Sequence, residues 1–124
     1  MVFKLKTSKE TMLIFEQLNS AVHLQPFALC KIAVALSLRE SPASLVFDND
    51  NDGLELNRQT ITGEYDELFK ALIIQNAEQP LADETYFPKY LKAHIDRGAK
   101  MLLAEYKYSN NNFYQHLVEI DKGI

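Results

Sequence analysis

The stretch PFALCKIAVALSL, residues 26–38, decides how this chain of 124 residues must fold. Its apolar side chains surround a helix on nearly every side, and Lys31 is its only charge. Pro26 suits the first helical turn, because its missing N–H would have no partner there. A helix that is apolar all round must be covered all round. The stretch therefore predicts either a helix shared between the subunits of a homo-oligomer or a central helix wrapped by its own chain.

A short strand is predicted at the N-terminus. Residues 2–6 alternate apolar and cationic side chains, which would place Phe3 and Leu5 on one face and Lys4 and Lys6 on the other. Two copies of this strand could pair into an antiparallel ribbon with a basic outer face, which would suit a DNA groove. A charged edge strand, whose lysines only prevent aggregation, is the alternative.

Helical periodicity extends over most of the remaining chain. Thr7 and Glu10 have the spacing of a capping box, so a first helix should start there and end near His23. Asn110 to Asn112 should break the chain before a last helix. We expect further helices over 27–38, after Thr62, over 85–106 and over 113–120. The helix after Thr62 should have an inner stripe of Tyr65, Leu68, Phe69, Leu72 and Ile73. The helix over 85–106 should carry Lys89, Lys92, Asp96 and Lys100 on its outer face.

These elements predict a mainly α-helical, single-domain protein. A ribbon-helix-helix-like unit would occupy residues 1–40, an acidic loop residues 41–63, and C-terminal helices residues 64–120. A composition of 47% hydrophobic residues excludes a disordered chain, and the single cysteine excludes an internal disulfide. No stretch approaches the length of a membrane span, and no signal peptide is visible. We therefore expect a soluble, cytoplasmic protein.

Charge is distributed unevenly along the sequence. The formal net charge is -4, but residues 48–84 carry a balance of -8, whereas the segments before and after them each carry +2. The local field near a binding face, rather than the total charge, governs encounter with a polyanion. DNA binding by the two ends therefore stays possible, and the acidic middle could instead dock a protein partner.

The segment from Asp48 to Gly53 resembles the first half of a calcium loop, with acidic side chains at positions one, three and five and glycine at six. Position twelve is Gln59, which cannot supply the bidentate carboxylate, so a solvated turn is favoured and no metal is expected. An enzymatic alternative is metal-dependent DNA nicking, with Asp48, Asp50, Asp52 or Glu55 holding a divalent ion.

Other candidates for chemistry have structural explanations. An apolar setting would raise the pKa of the Cys30 thiol and leave it a packing residue. His94 lies on an apolar helix face and is expected to be a hydrogen-bonded core residue. Gly98 lies within a helix, where glycine costs about 1 kcal/mol relative to alanine, and close helix approach would compensate. We therefore expect no cofactor and no catalytic residue.

Three ordered motifs, LCKIA running into LSL (29–38), ELNRQTITGEYD (55–66) and HIDRG (94–98), resemble the DndE family, the small subunits of bacterial DNA phosphorothioate-modification systems. The resemblance covers about residues 3–104. It departs from the family pattern at Lys31, where we expect arginine, at Asp96, where we expect asparagine, and in the acidic loop 48–52.

The resemblance implies a tetramer that binds double-stranded, preferably nicked DNA through clustered lysines and has no catalytic role. It would act beside the sulfur-transfer and ATPase subunits of the phosphorothioation complex. By the same resemblance, Lys4, Lys6 and Lys9 would contact backbone phosphates, with Lys31 a further candidate. Arg58 and Arg97 lie within the matched motifs. They could contact DNA or pair with the carboxylates of Glu64, Asp66 or Asp96, and the structural pairing is slightly favoured.

Overall fold

The structure, a computed structural model, describes residues 2–109 and 112–122. It is mainly helical, as predicted, with one small sheet. The elements in chain order are β1 (Lys4–Lys6), α1 (Lys9–Val22), α2 (Pro26–Ser37), β2 (Glu55–Asn57), α3 (Arg58–Ile61), α4 (Asp66–Ala77), α5 (Asp83–Thr85), a π-helical segment (Tyr86–Leu91), α6 (Lys92–Ser109) and α7 (Phe113–Lys122), with 3-10 turns at Pro42–Ser44 and Gly63–Tyr65.

The two strands form an antiparallel ribbon within one chain. Leu5 pairs with Leu56, and both side chains are buried. β1 thus pairs with β2 of its own chain, and the ribbon between two copies of β1 stays a prediction. The expectation that Phe3 shares the buried face with Leu5 is wrong, because Phe3 precedes the strand and is 63% exposed.

The first helix begins one residue later than predicted. Ser8, not Thr7, is its N-cap, and the Ser8 hydroxyl accepts the backbone N–H of Thr11 at 3.1 Å. The Thr7 hydroxyl accepts the N–H of Leu54 instead, at 2.9 Å. Thr7 therefore ties the start of α1 to the chain that leads into β2, a contact that local spacing could not indicate.

The core is centred on the packing of α2 against α6. At Gly98 of α6, an added Cβ would lie 1.8 Å from the carbonyl oxygen of Ala33 on α2, so only glycine permits this approach. The expected close helix contact is confirmed. The chain itself buries the side of α2 that faces α6, whereas Phe27, Lys31 and Ala35 remain exposed on its other side.

The inner stripe predicted for the third helix, α4, is largely exposed. Only Ile73 is fully buried, and Phe69 is partly buried beside it. Tyr65, Leu68 and Leu72 are exposed by 58%, 56% and 41%. The expectation was wrong for these three because α4 meets the rest of the molecule along one narrow edge.

The long helix predicted over 85–106 is divided in two. Pro88 has no N–H to donate, and the turn around it is π-helical before the regular α6 begins at Lys92. The break predicted at Asn110 and Asn111 lies outside the described residues. None of the described helices is long and apolar enough to cross a membrane by itself, and α1 with α2 qualify by length and composition only as a pair bent by 111°.

Candidate nucleic-acid interface

Lys4 and Lys6 form the exposed face of β1. Lys6 lies directly opposite Glu55 in the antiparallel register, and residues opposite each other project from the same face of a sheet. The two lysines line a shallow depression of about 340 Å³ that also includes Asn51 and Pro88. The strand therefore presents two cations to solvent, with one carboxylate beside them.

Lys9 is the first residue of α1, and its side chain is exposed at the edge of the acidic loop. Its backbone N–H donates to the Asp50 carboxylate at 3.2 Å. Asp50 also accepts the N–H of Asp52, and Asp48 accepts the N–H of Asp50, both at 2.9 Å. The Asp52 and Lys9 N–H groups lower the pKa of Asp50. These carboxylates cap backbone donors, as a solvated Asx turn requires.

The acidic loop is fastened to the start of α1. The Gly53 N–H donates to the carbonyl oxygen of Thr7 at 2.9 Å, and a Cβ at Gly53 would lie 2.1 Å from the carbonyl oxygen of Ser8. Gln59, at the twelfth loop position, is exposed on α3. Over residues 2–109 and 112–122, no three His, Cys, Asp or Glu side chains are grouped as metal ligands would be.

Lys31 lies on α2, separate from the β1 lysines. Its ammonium group stands 5.7 Å from the centre of the Phe27 ring. It borders a depression of about 280 Å³ lined also by Gln59, Gly63 and Tyr65, none of which lines the β1 depression. The four predicted DNA contacts thus divide into Lys4, Lys6 and Lys9 near the ribbon and Lys31 on the helix.

Lys89 is a cation that sequence reasoning placed only on an outer helix face. Its ammonium group stands 5.2 Å from the centre of the Phe47 ring, beside a hollow of about 200 Å³. Pro88 and Asn51 line both this hollow and the β1 depression, so the two adjoin. The structure thereby adds Lys89 to the ribbon lysines, although more than 80 residues separate them in the chain.

Arg58 is the centre of a buried polar cluster. Its five N–H donors are all used: two bonds reach Asp66 at 2.6 and 3.0 Å, two reach Asp83 at 2.7 and 3.0 Å, and one reaches the Val2 carbonyl at 2.9 Å. The structural pairing with Asp66 was predicted, whereas that with Asp83 was not. No donor of this guanidinium remains for a phosphate.

The carboxylates of this cluster titrate below their usual range. Hydrogen bonds from Arg58 lower the pKa of Asp83 to about 2. Burial alone would raise the pKa of Asp66, but hydrogen bonds from Arg58, Thr62 and Tyr86 outweigh it and lower the value. In return, hydrogen bonds to Asp83 and then to Asp66 raise the pKa of Arg58. The cluster therefore stays ionised at neutral pH and joins α3 to α4, to α5 and to Val2, just before β1.

Arg97 is engaged at the end of α2. Its guanidinium donates to the Ser37 carbonyl at 2.7 Å and to the Ser37 hydroxyl at 2.8 Å, and further bonds reach Ser41 and Ser44. The alternative pairing of Arg97 with Asp96 does not occur, because Asp96 projects toward α1 and bonds Ser8 and Thr11. Arg97 instead satisfies carbonyl groups at the C-terminus of α2.

His94 is a core residue, as expected. The Ser37 hydroxyl and His94 Nδ1 share a hydrogen bond of 2.8 Å, and Arg97 also donates to the Ser37 oxygen. His94 Nε2 is buried and has no hydrogen-bond partner among the described atoms. Burial, with a smaller contribution from the Arg97 charge, lowers the pKa of His94 to about 4.

Lys92 and Asp96 are buried, contrary to the prediction of an outer helix face. Their charged groups lie 2.7 Å apart, and Lys92 also donates to the Asp48 carbonyl at 3.1 Å. This pair connects α6 to the acidic loop.

Cys30 is fully buried, and burial raises the pKa of its thiol to about 12, in agreement with a packing role.

Together these features define a class of small helical proteins. Such a protein exposes lysines on a two-stranded ribbon and uses its buried cations to stabilise the fold. Comparison of the sequence with family models gives a match over residues 4–110 to DndE, described as the DNA sulphur modification protein DndE. The chain therefore belongs to the DndE family. No curated protein matches the sequence.

Two solved structures share the fold. One is the crystal structure of DndE from Escherichia coli B7A, involved in DNA phosphorothioation modification, with a TM-score of 0.64 and 19% identity. The other is a glycine-to-lysine mutant of DndE involved in DNA phosphorothioation, with a TM-score of 0.63 and 19% identity. Each match covers 82% of this chain and 97% of the other.

Proposed function

We propose that this protein is a non-catalytic, DNA-binding accessory subunit of a cytoplasmic DNA phosphorothioation complex. It binds double-stranded DNA, preferentially nicked, through lysines presented by an oligomer, as the family resemblance implies for a tetramer. Membership of the DndE family supports the link to DNA sulphur modification. The other subunits of that complex are its proposed protein partners.

The observation that carries the DNA-binding proposal is the division of the cations into two groups. Arg58, Lys92 and Arg97 are engaged by the protein itself. Lys4 and Lys6, by contrast, are exposed and form no ion pair within the described part of the chain. Exposed lysines can exchange their counterions for backbone phosphates, which supplies affinity without reading sequence.

The acidic loop limits where a duplex can lie on this face. Asp48, Asp50 and Asp52 are fastened beside Lys9, and Glu55 stands opposite Lys6. Phosphates would avoid these carboxylates and approach from the side of Lys4. A nick makes the duplex cheaper to bend around such an uneven surface, which supports a preference for nicked DNA.

The position of Lys31 makes the oligomer part of the proposal. Lys31 lies on the exposed side of α2, away from the ribbon lysines of its own chain. It would join the DNA face only if several copies bring the two groups of lysines together. Contact of the assembled protein with DNA would then involve more cations than one ribbon provides.

Binding to nicked and intact duplex tests the proposal. We expect the double variant Lys4→Ala and Lys6→Ala to bind both duplexes more weakly at every sequence. The slope of log affinity against log salt should fall by about one for each lysine that no longer reaches a phosphate. Fluorescence anisotropy at several salt concentrations measures both quantities.

The matched control removes the same charge from α6, with Lys100→Ala and Lys107→Ala, both exposed in the structure. That variant should keep the wild-type slope. Equal losses in the two double variants would show general charge attraction rather than a ribbon interface. If the wild-type protein shows no binding to nicked duplex at low salt, the DNA-binding role is refuted.

A further inference from the structure

An apolar groove of about 560 Å³ lies between α2 and α7. Its floor is formed by Ile32 and Ala35 from α2 and by Leu117 and Val118 from α7. Lys31 on α2 and Arg39, in the turn that follows α2, also line it. The groove therefore combines an apolar floor with two cations in its lining.

An apolar helix face flanked by anions rather than cations lies on α4. Its exposed apolar residues Tyr65, Leu68 and Leu72 have the i, i+3, i+7 spacing by which a helix anchors itself in a groove. We call these three residues the α4 stripe. Exposed carboxylates flank it, with Glu67 in the first turn of α4 and Glu78 at its C-cap. The α4 stripe thus carries an anion near each end.

The groove adjoins the Tyr65 end of the α4 stripe. Lys31 lines the groove and also the neighbouring depression formed with Glu64 and Tyr65. When two complementary surfaces lie side by side, a two-fold axis between them lets each copy fill the groove of the other. Such an isologous contact would cover both apolar surfaces at once.

We propose that a second copy of this chain docks here, with the α4 stripe of each copy in the α2–α7 groove of the other. This proposal rests on the self-association included in the proposed function and assigns its surfaces. Half of the groove comes from α7, which lies beyond residues 4–110, the part that the family model matches. The two-fold contact could stand alone as a dimer or form one interface of a tetramer with D2 symmetry.

The first test removes the apolar anchors. Leu68→Ser with Leu72→Ser should raise the dissociation constant for self-association at least about tenfold, since buried anchors dominate interface energy. Sedimentation velocity over a concentration series measures it. The matched control is Leu13→Ser with Val46→Ser, which changes two side chains that are 52% and 71% exposed outside this surface and should keep the wild-type mass.

The second test reverses charge. Lys31→Glu with Arg39→Glu makes the groove anionic, and Glu67→Lys with Glu78→Lys makes the α4 stripe cationic. Each double variant alone should associate more weakly, because its two surfaces then carry the same sign. An equimolar mixture should regain wild-type association, since each groove then meets a stripe of opposite charge. Far-ultraviolet circular dichroism confirms that each variant is folded.

Several outcomes would overturn this assignment. A wild-type protein that is monomeric at its highest soluble concentration would show that no second copy docks, and the groove would then belong to another partner. Undiminished association in the Leu68 and Leu72 variant, or no recovery on mixing, would place the contact elsewhere. Nicked-duplex binding measured on the same samples is judged separately, so the DNA-binding proposal can stand when this one fails.

Discussion

The helices α2 and α4 have the same length, 12 residues, and both carry apolar residues at helical spacing, yet they are buried very differently. α2 buries six side chains, largely against α6, whereas α4 buries only Ile73. The difference arises from what lies beside each helix. α6 brings Gly98 onto the backbone of Ala33, while α4 meets the molecule along an edge. Apolar periodicity identifies a helix but not the side that is covered.

The largest effect should come from breaking the tight helix pair. We expect Gly98→Ala to destabilise the protein by more than about 3 kcal/mol, because the new Cβ would meet rigid backbone of α2. Urea unfolding measures the loss. Gly63→Ala is the control: Gly63 has a positive φ but open space around it, so only about 1 kcal/mol should be lost. Comparable losses at the two sites would contradict the close approach.

The next effect compares adjacent residues of α4. Ile73→Ala should cost about 3 kcal/mol, because the side chain is fully buried. Leu72→Ala should cost less than about 0.5 kcal/mol when measured on the monomer, since that side chain is 41% exposed. Thermal unfolding at low protein concentration separates them. A large loss at Leu72 would mean that α4 faces the core with its other side.

The smallest effect concerns pH at the α2–α6 contact. The pKa of His94 falls from 6.5 to about 4 on folding. Between these two pH values the imidazole is mostly protonated in the unfolded chain and mostly neutral in the folded chain. Stability should therefore fall by about 2 kcal/mol between pH 7 and pH 5. His94→Gln should flatten that part of the profile of unfolding free energy against pH. A wild-type profile that is already flat there would contradict a buried neutral imidazole.

The Arg58 cluster beneath α4 should respond only at lower pH. The pKa values of Asp66 and Asp83 are lowered on folding, that of Asp83 from 3.8 to about 2. Their contribution is present above the unfolded pKa near 3.8 and is lost as the pH falls toward 2. The same pH series in the Gln variant of His94 should therefore retain a decline below pH 4.

Much of the fold was readable from local patterns. Pro26 at the start of α2, the helical periodicities and the close approach at Gly98 were predicted, as was the pairing of Arg58 with Asp66. The candidate site was readable only in part. Lys4, Lys6, Lys9 and Lys31 were identified as cations, but their separation into two places was not.

The sequence by itself indicated the longer helical segments and the close helix contact at Gly98, because backbone preferences and side-chain spacing act over a few residues. Tertiary structure alone decided that β1 pairs with β2, that Lys92 and Asp96 are buried together, and that Lys89 lies beside the ribbon. These contacts join residues far apart in the chain. Their formation depends on how whole elements pack, which short-range periodicity does not specify.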